Sequence, residues 1–164
     1  MSSSPRPATA IFRIIAFVLT VVFIFQELAG MRTLPFGPGG VAHNVAIVVA
    51  FWLDMLPTGF CLSALWVATN VFERLSRGEA FNAAVVKGLR GIGLNLILSA
   101  LSAIVIVPFL KPLAQDIGNW GHNLTLGLGV NINVESATVG VIGLVLYLVA
   151  RQGRALKTEL ESFV

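Results

Sequence analysis

Asp54 is the residue whose type and position most suggest chemistry in this chain. It interrupts an apolar stretch, residues 41–72, three positions before Pro57. A carboxylate inside a bilayer costs roughly 2.5–3.5 kcal/mol on insertion scales, so acids within membranes commonly serve an ion or proton path. A proline kink could direct the Asp54 side chain into such a path. The interpretation that we favour places Asp54 at the outer membrane boundary, hydrated or paired with Arg32 or Lys111, because 18 uncharged residues follow it.

Metal binding and catalysis find little support in the spacing of the other polar residues. Histidines and carboxylates are suitable metal ligands. On the side of the membrane where we place Asp54, these residues are Glu27, His43, Asp54, Asp116, His122 and Glu135. No two of them stand at a ligand spacing such as HxxxH or HxxE. The chain also has no Walker loop, GxSxG elbow, HExxH or paired-cysteine motif. We therefore predict a protein that is not an enzyme and that needs neither a cofactor nor a metal.

The composition of the chain predicts a membrane protein. Of 164 residues, 56% are hydrophobic and 12% are charged, whereas soluble domains contain about 25% charged residues. Four apolar stretches approach the ~20 residues that cross a ~30 Å hydrocarbon layer. They predict spans at about residues 9–29, 50–72, 91–110 and 134–152. The basic pI of 9.6 does not indicate nucleic acid, because the basic residues lie beside the ends of the spans.

The remaining chain is short. Residues 1–8 are rich in Ser and Pro and predict a disordered tail, residues 9–155 a single four-helix domain, and residues 156–164 a short cytoplasmic tail. The first apolar stretch also resembles a cleavable signal peptide, but its length favours a retained helix. Residues 41–53 are expected either to extend the second helix beyond the bilayer or to lie along its surface.

The largest loop, residues 111–135, is expected on the outer side. Within it, apolar and small or polar residues alternate from Thr125 to Val134. An alternation with a period of two predicts a short strand. The predicted fold is therefore an all-α membrane protein with four transmembrane helices and a short strand in the outer loop between helices three and four.

The distribution of basic residues predicts the orientation. Nine of the 11 Lys and Arg residues flank the spans on one side: Arg6, Arg13, Arg74, Arg77, Lys87, Arg90, Arg151, Arg154 and Lys157. Arg32 and Lys111 are the two on the other side. Cytoplasmic segments of membrane proteins carry the excess of Lys and Arg, so both termini and the central connector are expected in the cytoplasm.

Two stretches resemble a known family. The connector RLSRGEAFNAAVVKGLRGIG, residues 74–93, contains Gly78, Phe81 and Asn82 before Leu89 and Gly93, and residues 144–164 read LVLYLVARQGRALKTELESFV. Both are similar to the bacterial four-helix membrane proteins called domain of unknown function 2975. The resemblance implies a bacterial cytoplasmic (inner) membrane location and relatives often encoded beside a small helix-turn-helix regulator. It implies no established activity, cofactor or catalytic residue.

Small and polar residues within the spans are candidates for helix contacts. Small side chains let membrane helices approach closely, and those that open helix three or follow a small-xxx-small spacing are Gly88, Gly91, Gly93, Ser99, Ala103, Ser136 and Gly140. Asn70 and Asn95 are expected to form hydrogen bonds across helices. Together with Glu27 and Asp54 they make up the intramembrane or interfacial polar set.

These features predict an integral cytoplasmic-membrane protein that acts as a non-catalytic accessory or regulatory component, through helix packing and the cytoplasmic connector. The expected partners are membrane lipids and another membrane protein or a second copy of the chain, and not nucleic acid. Two alternatives remain: a small oligomeric transporter or channel element that uses Asp54, and a lipid-binding membrane scaffold.

Overall fold

The computed structural model describes residues 7–34, 36, 40–77, 83–118 and 134–162. These residues are helical almost throughout, and the described part of the chain contains no strand. The elements are α1 (Pro7–Arg32), α2 (Gly40–Ser76), α3 (Ala83–Leu101), a π-helical turn (Ser102–Ile106), α4 (Val107–Gly118) and α5 (Val134–Ser162). The all-helical fold predicted from the sequence is confirmed for these residues.

Within the described residues, four helical stretches are long and apolar enough to cross a membrane, as the sequence predicts. They are Ala10–Arg32, Gly40–Ser76, Ala83–Ala114 and Val134–Arg151. The third combines α3, the π turn and most of α4, which run on from one another. Of the residues with which we predicted an outer strand, Val134 begins α5, and the others lie outside the described residues.

Helix α1 begins at Pro7, whose fixed backbone angle and missing N–H suit the first turn of a helix. Pro7 and Ala8 of the predicted N-terminal tail are therefore helical, and the first six residues of that tail lie outside the described part. The helix ends at Arg32, where the Thr33 N–H bonds to the Gly30 carbonyl in a tighter turn.

Helix α2 is a single helix of 37 residues. At 1.5 Å per residue it is about 55 Å long, well beyond the ~30 Å that a hydrocarbon layer requires. Residues 41–53 belong to this same helix, and their position relative to the bilayer stays a prediction. Gly40 starts the helix with a φ of 87°, a conformation that residues with a side chain rarely adopt.

The third stretch continues through Pro108, close to which the sequence predicted its end. Proline has no N–H and crowds the carbonyl four residues earlier, which ordinarily breaks a helix. Here the turn before Pro108 is widened, and the Val107 N–H bonds to the Ser102 carbonyl five residues back. The π turn thus absorbs the steric conflict. Helix α4 then runs on to Gly118 and includes a second proline, Pro112.

The helices form an open row. Among the described residues, α1 packs against α2 alone, α2 packs against α1 and the third stretch, and α5 packs against α3 and the π turn. The buried core lies at the centre of this row, between α2 and α3, and contains Ala64, Val71, Val85 and Ile92. We refer to this arrangement as the helix row and to α1 and α5 as its edge helices.

Candidate functional site

Asp54 is paired across two helices. Its carboxylate accepts a hydrogen bond from the Lys111 ammonium of α4 at 2.6 Å. Both side chains are partly exposed, Asp54 at 48% and Lys111 at 38%. Lys111 is one of the two partners that the interfacial interpretation named. Asp54 and Lys111 thus form an ion pair that joins α2 to α4.

A second charged cluster lies farther along α2. Arg13 of α1 bonds to one carboxylate oxygen of Glu73, and Arg77 bonds to the other at 2.5 Å. Glu73 is 19% exposed, whereas Arg13 and Arg77 are 51% and 60% exposed. We call these three residues the Glu73 cluster. It fastens the beginning of α1 to the end of α2 and leaves two cations facing outward.

The two charged sites are separated by the length of a membrane span. Asp54 and Glu73 lie 19 residues apart on one helix, which corresponds to about 28 Å. All 18 residues between them are uncharged. The separation is close to the ~30 Å thickness of a hydrocarbon layer. An ion pair therefore stands at each end of the segment of α2 that is suited to lipid.

Two contacts join α1 to α2 inside this segment. The rings of Phe12 and Phe72 stack with centroids 5.0 Å apart and planes 3° from parallel. Farther along, the Trp66 indole donates to the Thr20 hydroxyl at 3.0 Å, and that hydroxyl donates to the Ala16 carbonyl of its own helix. Together with the Glu73 cluster, these contacts hold α1 against α2, which is its one helical neighbour in the described chain.

Helices α2 and α3 share a polar contact at Pro57. The Ser99 hydroxyl donates to the Pro57 carbonyl at 2.7 Å, and the sulfur of Cys61 lies 3.1 Å from the same hydroxyl oxygen. Because the single Ser99 hydrogen is used on the carbonyl, the Cys61 thiol is the donor in the second bond. Ser99 therefore packs towards α2. A shared helix contact of Ser99 and Ala103, which their spacing suggested, stays a prediction.

The predicted small residues divide between two interfaces. A β-carbon on Gly88 would lie 2.2 Å from the Val71 side chain, and one on Gly91 would lie 3.5 Å from Val67, so both glycines face α2. Gly93 faces α5: a β-carbon there would lie 2.6 Å from the Gly143 carbonyl oxygen. Gly140 meets Ala100 in the same interface, at 2.9 Å. Ala103 and Ser136 are half-buried.

Gly143 is a contact residue that the sequence reasoning missed. A β-carbon on it would lie 2.8 Å from the Gly93 carbonyl oxygen, the reciprocal of the contact above. The signal was available, because Gly140 and Gly143 stand one helical turn apart and so share a face. The four-residue small-xxx-small spacing instead pairs Gly140 with Ser136.

The remaining polar candidates take local positions. The amide nitrogen of Asn95 donates to the Gly91 carbonyl of its own helix at 3.0 Å, because a short polar side chain can reach the carbonyl one turn earlier. The hydrogen bond across helices that we expected for Asn95 stays a prediction. Asn70 is exposed on α2, and Glu27 is half-buried on α1. The connector residues Gly78, Phe81 and Asn82 lie outside the described residues.

A groove of about 390 Å³ opens between α1 and α3, with α2 as its floor. Phe23 of α1 and Asn95 of α3 line its sides, and the other lining residues, all from α2, are Trp52, Met55, Leu56, Gly59, Phe60 and Ser63. The lining is almost wholly apolar. From Trp52 to Ser63 the groove follows about 16 Å of helix, half the thickness of a bilayer. It suits a hydrocarbon chain better than a polar substrate.

The described side chains offer no reactive constellation. No three His, Cys, Asp or Glu residues among them gather as a metal ion would require. Each buried side-chain nitrogen or oxygen that the structure describes has a hydrogen-bond partner. What these residues do provide is a set of helix contacts, two ion-paired sites and an apolar groove.

Comparison with known proteins gives one match. A family model described as "Protein of unknown function (DUF2975)" matches residues 24–164, which is most of the chain. This confirms the resemblance that the connector and the last span indicated. No curated protein and no solved structure matches the chain.

Proposed function

This chain belongs to the DUF2975 family, whose members are proteins of unknown function. We therefore propose its role from the helix surfaces that have no helical neighbour among the described residues. It acts as a non-catalytic accessory component of a bacterial cytoplasmic membrane, with both termini in the cytoplasm. It binds another membrane protein or a second copy of itself through the edge helices of the row. The observation that carries this proposal is the open row. Among the described residues, α1 packs against α2 alone, and α5 packs against α3 and the π turn that continues it.

The positions of the charges support this membrane placement. The Asp54–Lys111 pair and the Glu73 cluster bracket one bilayer thickness on α2. The Glu73 cluster lies at the end of the helices that carries most of the basic residues. The positive-inside rule assigns that end to the cytoplasm.

The free sides of the edge helices support association. Opposite its contact with α2, α1 exposes Ile14, Val18 and Phe25, and opposite its contact with α3, α5 exposes Val141 and Val145. Lipid and protein are equally apolar, so exposure alone does not drive helix association in a membrane. The reason to expect association is the shape of the row, because each end of it can accept one more helix without disturbing the central core.

Extraction in mild detergent tests the proposal. The wild-type protein is expected to elute as a complex with a second copy or with one protein in fixed stoichiometry. Val18→Trp or Val145→Trp, which enlarge a side chain on the free side of an edge helix, should reduce that complex. The matched control is Leu94→Trp, because Leu94 is equally exposed but lies on α3, in the middle of the row. A wild-type protein that is monomeric and partnerless, or an equal loss in all three variants, would count against the proposal.

A lipid-binding scaffold is the second candidate, and the groove beneath Phe23 favours it. The groove is apolar and open, and its length along α2 is close to the thickness of one leaflet of a bilayer. Nothing lies within 4 Å of a β-carbon built on Gly59 in its floor. Gly59→Phe should therefore fill the groove without disturbing the helices. It should lower the amount of lipid that co-purifies with the protein, as measured by mass spectrometry, whereas Gly59→Ala should not.

The transporter alternative has less support. Its key residue, Asp54, is half-exposed and ion-paired with Lys111, and an open row of helices encloses no path by itself. A flux assay in liposomes distinguishes the two roles, because the accessory role predicts no flux of protons or metal cations.

A further inference from the structure

The Glu73 cluster holds two guanidinium groups on one carboxylate. Arg13 approaches one oxygen of Glu73 from α1, and Arg77 approaches the other oxygen from the end of α2. Two arginines this close would otherwise repel each other, so Glu73 fixes the position of both. The three groups together carry one net positive charge.

Most donors of the two arginines remain available. A guanidinium has five N–H groups in a fixed plane, and each of these arginines uses one terminal nitrogen on Glu73. Glu73 is largely covered, while more than half of each arginine side chain is exposed. These exposed side chains therefore carry N–H donors beyond those used on Glu73, and arginines commonly use such donors to bind a phosphate group.

An apolar surface begins one residue from the cluster. Phe12 and Phe72 precede Arg13 and Glu73 in the chain, and their rings stack on each other. Both rings are partly exposed, on the lipid-facing side of the charges. A ligand that fits this surface has an anionic head and a hydrocarbon chain.

We propose that the Glu73 cluster binds the phosphate of an anionic phospholipid, with the stacked Phe12 and Phe72 against its acyl chain. The arginines contribute the charge and the hydrogen-bond donors, and Glu73 is a positioning residue. The site uses the side of α1 that contacts α2, whereas the proposed function uses the free sides of the edge helices, and neither proposal requires the other.

Lipid titrations of the purified full-length chain test this site. Phosphatidylglycerol and phosphatidylcholine with identical acyl chains are added, and binding is followed by native mass spectrometry. Wild-type protein should prefer phosphatidylglycerol. Arg77→Gln should weaken phosphatidylglycerol binding about fivefold, the equivalent of about 1 kcal/mol per basic residue near a membrane surface. It should weaken phosphatidylcholine binding less, because the choline cation offsets the charge of the phosphate. Arg77→Gln keeps the Arg13–Glu73 bond, so the α1–α2 contact survives in this variant.

Arg32→Gln is the matched control, because Arg32 is an exposed arginine at the opposite end of α1. It should bind both lipids as the wild type does. Glycerol 3-phosphate supplies the headgroup without the chain and should not compete with the lipid. Equal binding of the two lipids by the wild type, an unchanged Arg77→Gln, an equal effect of Arg32→Gln, or full competition by glycerol 3-phosphate would each overturn the proposal.

Discussion

The backbone carbonyl oxygen of Gly143 lies 2.6 Å from the point that a β-carbon on Gly93 would occupy. The reverse distance, from a β-carbon on Gly143 to the Gly93 carbonyl oxygen, is 2.8 Å. Both obstacles are backbone atoms, which cannot move aside as a flexible side chain can. The approach of α5 to α3 therefore depends on glycine at both positions.

Gly93→Ala should separate α3 from α5. The added methyl group would have to push back a helix backbone, and overpacking of this kind typically costs about 1–3 kcal/mol. The expected result is a loss of that size in the free energy of unfolding, measured by denaturation in mixed micelles, together with weaker protection of α5 from hydrogen exchange. Gly143→Ala should behave in the same way.

Gly59→Ala is the control for this prediction. A β-carbon at Gly59 has open space around it, so the substitution tests helix propensity without the steric contact. Alanine is favoured over glycine in a helix interior by up to about 1 kcal/mol. This variant should be as stable as the wild type or more so. Equal destabilisation by Gly59→Ala and Gly93→Ala would show that the close approach is not the cause.

Asp54→Asn should change stability little. Exposed ion pairs typically contribute about 0–1 kcal/mol, and the pair with Lys111 is exposed on both sides. The loss in unfolding free energy should stay within that range, and Lys111→Gln should give a similar value. A double-mutant cycle measures the coupling between the two residues. A loss of several kcal/mol, or a proton flux that Asp54→Asn abolishes, would favour the transport role of Asp54 instead.

Ser99→Ala should loosen the contact between α2 and α3. Hydrogen bonds between membrane helices contribute about 0.6 kcal/mol on average and at most about 1.7, and Ser99 bonds to both Pro57 and Cys61. The S–H stretching band of Cys61 should also shift to higher frequency, because the thiol loses its acceptor. Ser63→Ala, on the exposed face of α2, should change neither quantity. An unmoved S–H band in Ser99→Ala would contradict the hydrogen-bond assignment.

The four spans could be predicted because charge is excluded from lipid. Asp54, Glu73 and Lys111 mark the ends of apolar stretches, and the structure has long apolar helices at those places. The partner of Asp54 could also be narrowed to two residues, since the outer side was expected to hold only two cations. The places of the long apolar helices in the described chain thus follow from composition, with little knowledge of packing.

The packing itself could not be predicted in the same way. The edge helices carry apolar side chains both on the side that packs against protein and on the side that is exposed. Lipid and protein present similar surfaces to a membrane helix, so apolar residues do not mark the packed side. The sequence of α1 therefore does not indicate that α2 is the helix against which it packs. Ser99 shows the same limit, since its spacing to Ala103 suggested a small-residue surface, while its hydrogen bond depends on where Pro57 lies. The π turn could not be predicted, because Pro108 indicates that the regular hydrogen bonding of the helix is interrupted but not whether the helix ends, kinks or widens there.

Photocrosslinking in the native membrane tests the central claim most directly. A photoreactive phenylalanine analogue replaces Phe25 of α1 or Val145 of α5, both exposed on the free sides of the edge helices, and replaces Leu94 of α3 as the control. We predict a discrete protein adduct, either with a second copy of the chain or with one defined partner, from at least one edge position and none from Leu94. Lipid adducts alone from all three positions would contradict the account.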